Sequence, residues 1–192
     1  MTAALSLPDR REWTVDDLAG LPRDRRYELI NGRLVVTSPI GPHQDLSVRV
    51  LLAIEANCPP GVAPFVELSL LVDRRNQPRP DVAAVRLDHI DRSPVPVQDA
   101  ALVVEVLSAE NTLKWVQEKQ QLYASAGVPC YWVINPRRGP ITLTELTLDP
   151  ATGRYRDPVL STDRFETDRP WPVTLDLSAL TKRWEALHGQ VG

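Results

Sequence analysis

The chain is short of lysine, cysteine and long apolar runs. Lysine supplies only 3 of the 22 basic residues, so arginine carries most of the positive charge. The two cysteines, Cys58 and Cys130, match no C-x-x-C spacing, which argues against a zinc site and predicts reduced thiols. No apolar run approaches the roughly 20 residues of a membrane-spanning helix, so no membrane partner is expected. The first residues turn polar too early for a secretory signal, which predicts a cytoplasmic protein.

An excess of positive charge is also missing. The formal net charge is −3 and the sequence pI is about 5.6. Proteins that grip nucleic acid with a whole surface are usually basic, so any such contact here must be local. A length of 192 residues with 43% hydrophobic residues is ordinary for one globular domain. We therefore predict a single domain over residues 1–192, with a core from about 12 to 180.

Strand and helix signals alternate along the chain. Two apolar runs flank Asn31-Gly32, the preferred dipeptide of a type I′ turn, and predict a hairpin. The other predicted strands lie at about 65–72, from 81, at 101–108 and at 130–134, with a second hairpin around 149–153. Helices are predicted after Thr14 and at about 42–58, 110–126 and 178–188.

A helix separates the apolar strands predicted at 101–108 and 130–134. This order is a β-α-β unit, so the two strands should be parallel and central in the sheet. The expected fold class is mixed α/β, of the α+β type. It consists of a mixed β-sheet flanked by helices, with peripheral hairpins.

One charged residue interrupts the most apolar of these strands. The segment "ALVVEVLS" is typical of a strand buried on both faces, yet Glu105 lies in its middle. An unpaired buried charge is very costly, so Glu105 must be paired, protonated or bound to a cation.

A second charge is out of place on the following helix. Lys119 falls in the centre of the apolar stripe formed by Trp115, Leu122 and Tyr123. The lysine either lays its stem on apolar surface with its head in water, or it meets Glu105. A helix that returns antiparallel over the strand would bring both residues to a similar level.

Two more acidic residues occupy strand positions. Asp81 follows Pro80 at the start of an apolar strand, and Glu28 lies in the first hairpin. Each fits a turn or an exposed strand residue when taken alone. Together with Glu105 and Lys119 they suit a hard divalent cation such as Mg²⁺, which prefers oxygen ligands. Such a cation can polarise a phosphodiester oxygen, while a lysine orients water or stabilises developing charge.

At this point the residues resemble a known family. The string "RYELINGRLVVTSP … RPDVAAV … LVVEVLS … EKQQLYASAGVPCYWVINP" is similar to the Uma-two family of restriction-endonuclease-like proteins, within the PD-(D/E)XK nuclease superfamily. The resemblance implies an active site at the strands of Asp81 and Glu105, with both as metal ligands. It implies catalytic roles for Lys119 and Glu28 as well. Leu107 stands where the superfamily lysine usually lies, and Trp115 stands where an Asp is common.

Three further residues are candidate substrate contacts. His43 matches a common His-Gln pair at the start of the first long helix, and helix-start packing is its other interpretation. Arg79 precedes the Pro80-Asp81 element, and Tyr123 lies four residues after Lys119.

The leading hypothesis is a DNA endonuclease that uses Mg²⁺ or Mn²⁺. A homodimer is expected, since cutting two strands suits a two-fold assembly. Two alternatives stay open. One is a catalytically inactive binding or assembly module, in which Glu105 and Lys119 form a relic ion pair. The other is hydrolysis of a different phosphoester.

Overall fold

A computed structural model describes residues 12–22, 24–108, 111–137 and 139–188 of the protein. Its helices are α1 Val15–Leu18, α2 Gly41–Glu55, α3 Leu113–Ser125 and α4 Leu177–His188. Its strands are β1 Arg26–Ile30, β2 Arg33–Thr37, β3 Val62–Val66, β4 Leu70–Leu71, β5 Val82–Arg86, β6 Val95–Pro96, β7 Ala100–Val106, β8 Cys130–Asn135, β9 Thr142–Asp149, β10 Arg154–Ser161, β11 Arg164–Thr167 and β12 Val173–Asp176. The predicted start of the third helix at 110, and both ends of the predicted domain, lie outside the described residues.

A six-stranded sheet with the order β10-β9-β8-β7-β5-β3 forms the centre of the fold. β7 and β8 run parallel, with Glu105 opposite Val133, and α3 connects them. The other neighbouring strands in this sheet are antiparallel. The prediction of a parallel, central strand pair in a mixed sheet flanked by helices is therefore confirmed.

The two faces of the sheet pack against different helices. Leu102 and Val104 of β7 belong to a buried cluster that includes Val50 of α2. Val103 of the same strand packs in a second cluster with Tyr123 of α3. Because side chains alternate along a strand, Glu105 points to the same side as Val103, toward α3.

The first hairpin, β1–β2, lies beside the central sheet as a separate two-stranded unit. Asn31 and Gly32 have φ angles of 52° and 73°, the positive values that a type I′ turn requires. Leu29 exchanges two main-chain hydrogen bonds with Gln77, at 3.1 and 2.8 Å. This pairing holds Glu28 next to the segment that leads into β5.

The prediction of one continuous strand at 65–72 is wrong. β3 ends at Val66, the chain turns at Glu67 with a φ of 51°, and β4 is a separate short strand. Val66 is 43% exposed and Leu70 is fully buried, although the alternation placed both on one face. The reason lies in distant partners, because β3 pairs with β5 whereas β4 pairs with β6.

Within the part of the chain described above, no helix is both long and apolar enough to cross a membrane.

Candidate active site

Lys119 lies in the interior between two acidic side chains from separate elements. Its Nζ is 2.7 Å from Glu28 Oε2 and 2.9 Å from each carboxylate oxygen of Glu105. Lys119 is 5% exposed, Glu28 2% and Glu105 8%. The lysine therefore does not extend to solvent, and of the two interpretations left open by the sequence, the contact with Glu105 is confirmed.

Asp81 lies at the same end of the neighbouring strand. Val82 pairs with Val104, so Asp81, which directly precedes β5, is level with the last residues of β7. Asp81 Oδ2 accepts a 2.7 Å hydrogen bond from the main-chain N–H of Val106. The two acids predicted as metal ligands thus lie at the same end of adjacent strands, and Asp81 bonds the main chain of the residue that follows Glu105.

His43, in the first turn of α2, packs against this same strand end. Its Nε2 is 2.9 Å from the carbonyl oxygen of Val106 and 3.6 Å from Asp81 Oδ1. The residue is buried, yet it forms part of the wall of the cleft described below. Packing at a helix start, one of the two sequence interpretations of His43, is therefore observed, and contact with a substrate stays a prediction.

Tyr123 lies on the predicted face of α3 but does not make the predicted contact. It is fully buried and donates a 2.9 Å hydrogen bond from its hydroxyl to Glu105 Oε1. It does not line the cleft, so its predicted contact with substrate is corrected to a contact with the Glu105 carboxylate. The helical stripe placed Tyr123 on the correct face of α3 but did not show where its hydroxyl points.

Arg79 contacts the acidic cluster through its main chain. Its N–H donates a 2.9 Å hydrogen bond to Glu28 Oε2, and its Nη1 donates one of 2.9 Å to the carbonyl oxygen of Glu67. Its buried Nε has no hydrogen-bond partner among the described residues. Burial lowers the pKa of the Arg79 guanidinium from its usual value.

The cluster of Glu28, Asp81, Glu105 and Lys119 contains three acidic residues and one basic residue. Burial raises the pKa of Asp81 to about 6 and that of Glu105 to about 7, although Lys119 opposes both shifts. Burial alone would lower the pKa of Lys119, but Glu105 and Glu28 raise it above its usual value. Lys119 therefore stays protonated, and the remaining carboxylate charge favours binding of a further cation.

The cluster lines a cleft with a volume of about 470 Å³. Seven charged side chains line it: Glu28, Glu67, Asp81, Glu105, Arg79, Lys119 and Arg137. Six apolar or aromatic side chains line it as well, beside several polar ones: Val35, Val36, Ile40, Leu107, Trp115 and Trp184. A ligand can therefore reach the predicted catalytic residues from one side of the molecule.

The donor set fits Mg²⁺ or Mn²⁺. Mg²⁺ takes one or two protein carboxylates and keeps several waters, and Asp81 and Glu105 supply two carboxylates at one strand end. Asp81 Oδ1 makes only a 3.6 Å contact with His43, whereas both oxygens of Glu105 contact Lys119. In the described ranges, no group of three or more His, Cys, Asp or Glu side chains has the arrangement of a complete ligand set.

Sequence reasoning missed two residues near the site. Glu67 accepts the hydrogen bond of Arg79 through its carbonyl oxygen and forms an ion pair with Arg26. Arg137 lines the cleft and donates a 2.7 Å hydrogen bond to the carbonyl oxygen of Asn111. No local pattern marks either residue, because each reaches the site through a loop whose course depends on distant pairing.

Comparison with known proteins agrees with this architecture. The structure is similar to the crystal structure of a "putative nuclease belonging to DUF820" from Anabaena variabilis ATCC 29413. The TM-score is 0.69 at 18% identity, over 89% of this chain and 98% of that one. The protein thus has a restriction-endonuclease-like fold, with a charged cluster at the end of its central strands.

The family follows from the sequence as a whole. The model of the Uma2 family, described as "Putative restriction endonuclease", matches residues 14–180. The chain belongs to the Uma2 family. No curated protein matches it.

Proposed function

We propose that this protein is a metal-dependent DNA endonuclease that hydrolyses phosphodiester bonds with an activated water. One observation carries the proposal. Asp81, just before β5, and Glu105, near the end of the adjacent β7, lie beside a buried, protonated Lys119, and the cluster opens into a cleft. Membership of a family described as restriction endonucleases supports a nuclease.

Asp81 and Glu105 are the residues that would hold Mg²⁺ or Mn²⁺. When bound there, such an ion polarises a phosphodiester oxygen and lowers the pKa of a coordinated water. The chain fixes both carboxylates beforehand. The main-chain N–H of Val106 holds Asp81, and the hydroxyl of Tyr123 holds Glu105.

Lys119 is the proposed group that orients the attacking water or stabilises charge as it develops on the phosphate. A buried ammonium acts strongly there, because little water screens it. Glu28 supports this role through its 2.7 Å contact, which helps to keep Lys119 protonated and in place. In this proposal Lys119 of α3 supplies the catalytic lysine. Leu107, which directly follows β7 at the usual lysine position, lines the cleft instead.

Two residues on the cleft wall are proposed to contact the substrate. Arg79 presents a guanidinium whose Nε is unbonded among the described residues, and guanidinium groups match phosphate geometry well. His43 borders Asp81, and because its Nε2 already contacts the carbonyl oxygen of Val106, a bond to a phosphate oxygen would have to come from Nδ1–H.

Plasmid cleavage tests the proposal directly. Wild type, Asp81→Ala and Lys119→Met are incubated with supercoiled DNA in Mg²⁺, Mn²⁺ or EDTA, with Lys114→Met as a matched control on the same helix. Lys114 is exposed and lies outside the cleft. We expect metal-dependent nicking by wild type and the control, and its loss in the other two variants. Equal cleavage by all four proteins would refute the proposed site.

A second candidate function is a catalytically inactive binding or assembly module. It is favoured by the contact of both Glu105 oxygens with Lys119, which gives Glu105 a partner without a metal. Calorimetric titration with Mn²⁺ separates the two functions. Binding by wild type that Asp81→Ala abolishes supports the nuclease, whereas no heat from protein shown to be folded by circular dichroism supports the module.

Assembly and location complete the proposal. A homodimer would present two sites to the two strands of DNA, and sedimentation equilibrium measures that state. A cytoplasmic location is consistent with the free thiols of Cys58 and Cys130, since reducing compartments keep such thiols unpaired.

A further inference from the structure

Trp115 is an aromatic side chain of the cleft to which the proposed hydrolysis gives no role. It lies in the first turn of α3, and its main-chain N–H donates a 3.2 Å hydrogen bond to the capping hydroxyl of Thr112. Its indole ring is partly buried and lines the cleft. The backbone of the residue is thus fixed by the helix cap while the ring stays accessible from the cleft.

The ring of Trp115 lies next to the charged cluster. Lys119 Nζ is 5.6 Å from the ring centroid, and the guanidinium carbon of Arg33 is 5.5 Å from it. Both distances are in the range of cation–π contacts. Because Lys119 also contacts Glu105, a planar group stacked on Trp115 would lie beside the proposed reaction centre.

Arg33 indicates how a ligand would reach this ring. Its side chain is 49% exposed and is also paired with Glu118 of α3. A planar guanidinium already rests over the aromatic surface, and a nucleobase offers the same flat shape with a larger π face. Arg33 can then bind the adjoining phosphate, as arginine does at single-strand binding sites.

The walls of the cleft do not resemble a surface that follows duplex phosphates. The four acidic residues that line it outnumber the three residues with a permanent positive charge, Arg79, Lys119 and Arg137. Basic contacts to phosphates contribute to the binding of both forms of DNA, but only unpaired bases can also stack on aromatic side chains, so this lining favours the single strand. Val36 and Ile40 also line the cleft and are 39% and 58% exposed, so the cleft offers apolar surface to bases.

The size of the cleft also favours an unpaired nucleotide. Its volume of about 470 Å³ is within the range of sites that enclose one small ligand, roughly 300–1,000 Å³. A single nucleotide is a ligand of this size, whereas a base pair with its two backbones is larger. Enzymes that act at enclosed sites therefore take single strands or extrude a nucleotide from the duplex.

We propose that Trp115 is a stacking platform for a nucleobase of single-stranded DNA, so that the site selects an unpaired strand. The inference rests on the proposed nuclease function for its substrate class and specifies which form of DNA that site binds. Trp115 is a specificity-determining residue in this proposal, and its position at the site lysine places the stacked nucleotide next to Asp81 and Glu105.

The test measures binding without catalysis. Fluorescence anisotropy in EDTA compares one labelled oligonucleotide, single-stranded and annealed to its complement, for wild type, Trp115→Ala and Trp115→Phe. Leu113→Ala is the matched control, because Leu113 is 78% exposed on the same helix turn and lies outside the cleft. All four proteins are first compared by circular dichroism and thermal melting.

We expect wild type to bind the single strand more tightly than the duplex. Trp115→Ala should weaken single-strand binding about tenfold, which corresponds to one lost base stack. Trp115→Phe should retain most of the affinity, and Leu113→Ala all of it. Unchanged binding by Trp115→Ala, equal losses in the alanine and phenylalanine variants, or tighter binding of duplex by wild type would each overturn the inference.

Cleavage assays separate this inference from the proposed function. If Asp81→Ala abolishes cleavage while Trp115→Ala binds single strands like wild type, the inference alone fails. If neither wild type nor any variant cleaves DNA but Trp115→Ala still loses single-strand binding, the stacking site stands and the nuclease proposal fails.

Discussion

Lys119 of α3 and Glu28 of β1 form a buried ion pair with 2.7 Å between Nζ and Oε2. Neither residue belongs to the central sheet, yet both meet at the end of β7, where Lys119 also binds Glu105. One ammonium group therefore connects the first hairpin, the central strand and the helix that follows it. The energetic consequences of this arrangement can be measured separately from any activity.

Replacing Lys119 with methionine should strongly destabilise the fold. The substitution keeps most of the side-chain volume but leaves Glu28 and Glu105 buried without their counter-charge, which costs about 3–5 kcal/mol for a broken buried pair. Urea denaturation at neutral pH measures the loss. Lys114→Met is the control, because the exposed Lys114 is 3.9 Å from Glu118 and such surface pairs contribute about 0–1 kcal/mol. Equal losses in the two variants would contradict the burial argument.

The hydroxyl of Tyr123 should contribute more to stability than that of Tyr155. Tyr123 donates to the Glu105 carboxylate, whereas Tyr155 donates to the carbonyl oxygen of Val128, each at 2.9 Å. Hydrogen bonds to charged groups contribute about 1.5–3 kcal/mol and neutral ones about 0.5–1.5 kcal/mol. Denaturation of Tyr123→Phe and Tyr155→Phe compares the two contributions. A larger loss in Tyr155→Phe would show that the Glu105 carboxylate does not depend on this partner.

The turn that positions Glu28 should be sensitive to substitution of Gly32. Its φ of 73° is unfavourable for residues with a Cβ, and an added Cβ would lie 3.0 Å from the Arg75 guanidinium. We expect Gly32→Ala to lower the free energy of unfolding by about 1–2 kcal/mol. Gly41→Ala is the matched control, since no heavy atom lies within 4 Å of its added Cβ. Thermal melting of both proteins checks this, and similar melting temperatures would count against a strained turn.

Protonation of Asp45 in acid should weaken the contact between α2 and α4 and so lower the stability of the fold. Two 2.7 Å hydrogen bonds from Arg183 hold the pKa of Asp45 down at about 2, below its ordinary 3.8, although slight burial opposes the shift. A lowered pKa in the folded state stabilises the fold above the unfolded value and loses that effect as pH falls through the folded value. Denaturation between pH 4 and pH 2 should show a shallower loss in Asp45→Asn and in Arg183→Gln than in wild type. Parallel curves for all three would remove Asp45 as a cause.

Local signals in the sequence were sufficient where neighbouring residues determine the structure. Asn31-Gly32 predicted the first hairpin, because two consecutive positive φ values suit few other dipeptides. The apolar stripe of α3 showed Lys119 to be misplaced, since helical spacing is set by the helix itself. The parallel pair β7–β8 followed from the helix between them.

Signals failed where distant segments determine the path of the chain. The alternation from Phe65 to Val72 continues across Glu67, so no local feature marks the end of β3. The hairpin of β11 and β12 was not predicted, since its strands are only four residues each. At the site, the direction of the Tyr123 hydroxyl depends on where Glu105 lies in three dimensions.

The origin of the site lysine on α3 has a consequence for the newly made chain. Glu28, Asp81 and Glu105 all leave the ribosome before Lys119, so the carboxylates exist for a time without their shared ammonium. The cluster is complete only after the helix has been made and has docked on β7. A chain that ends before Lys119 therefore cannot assemble this cluster, and its buried carboxylates gain their counter-charge only after α3 has been made.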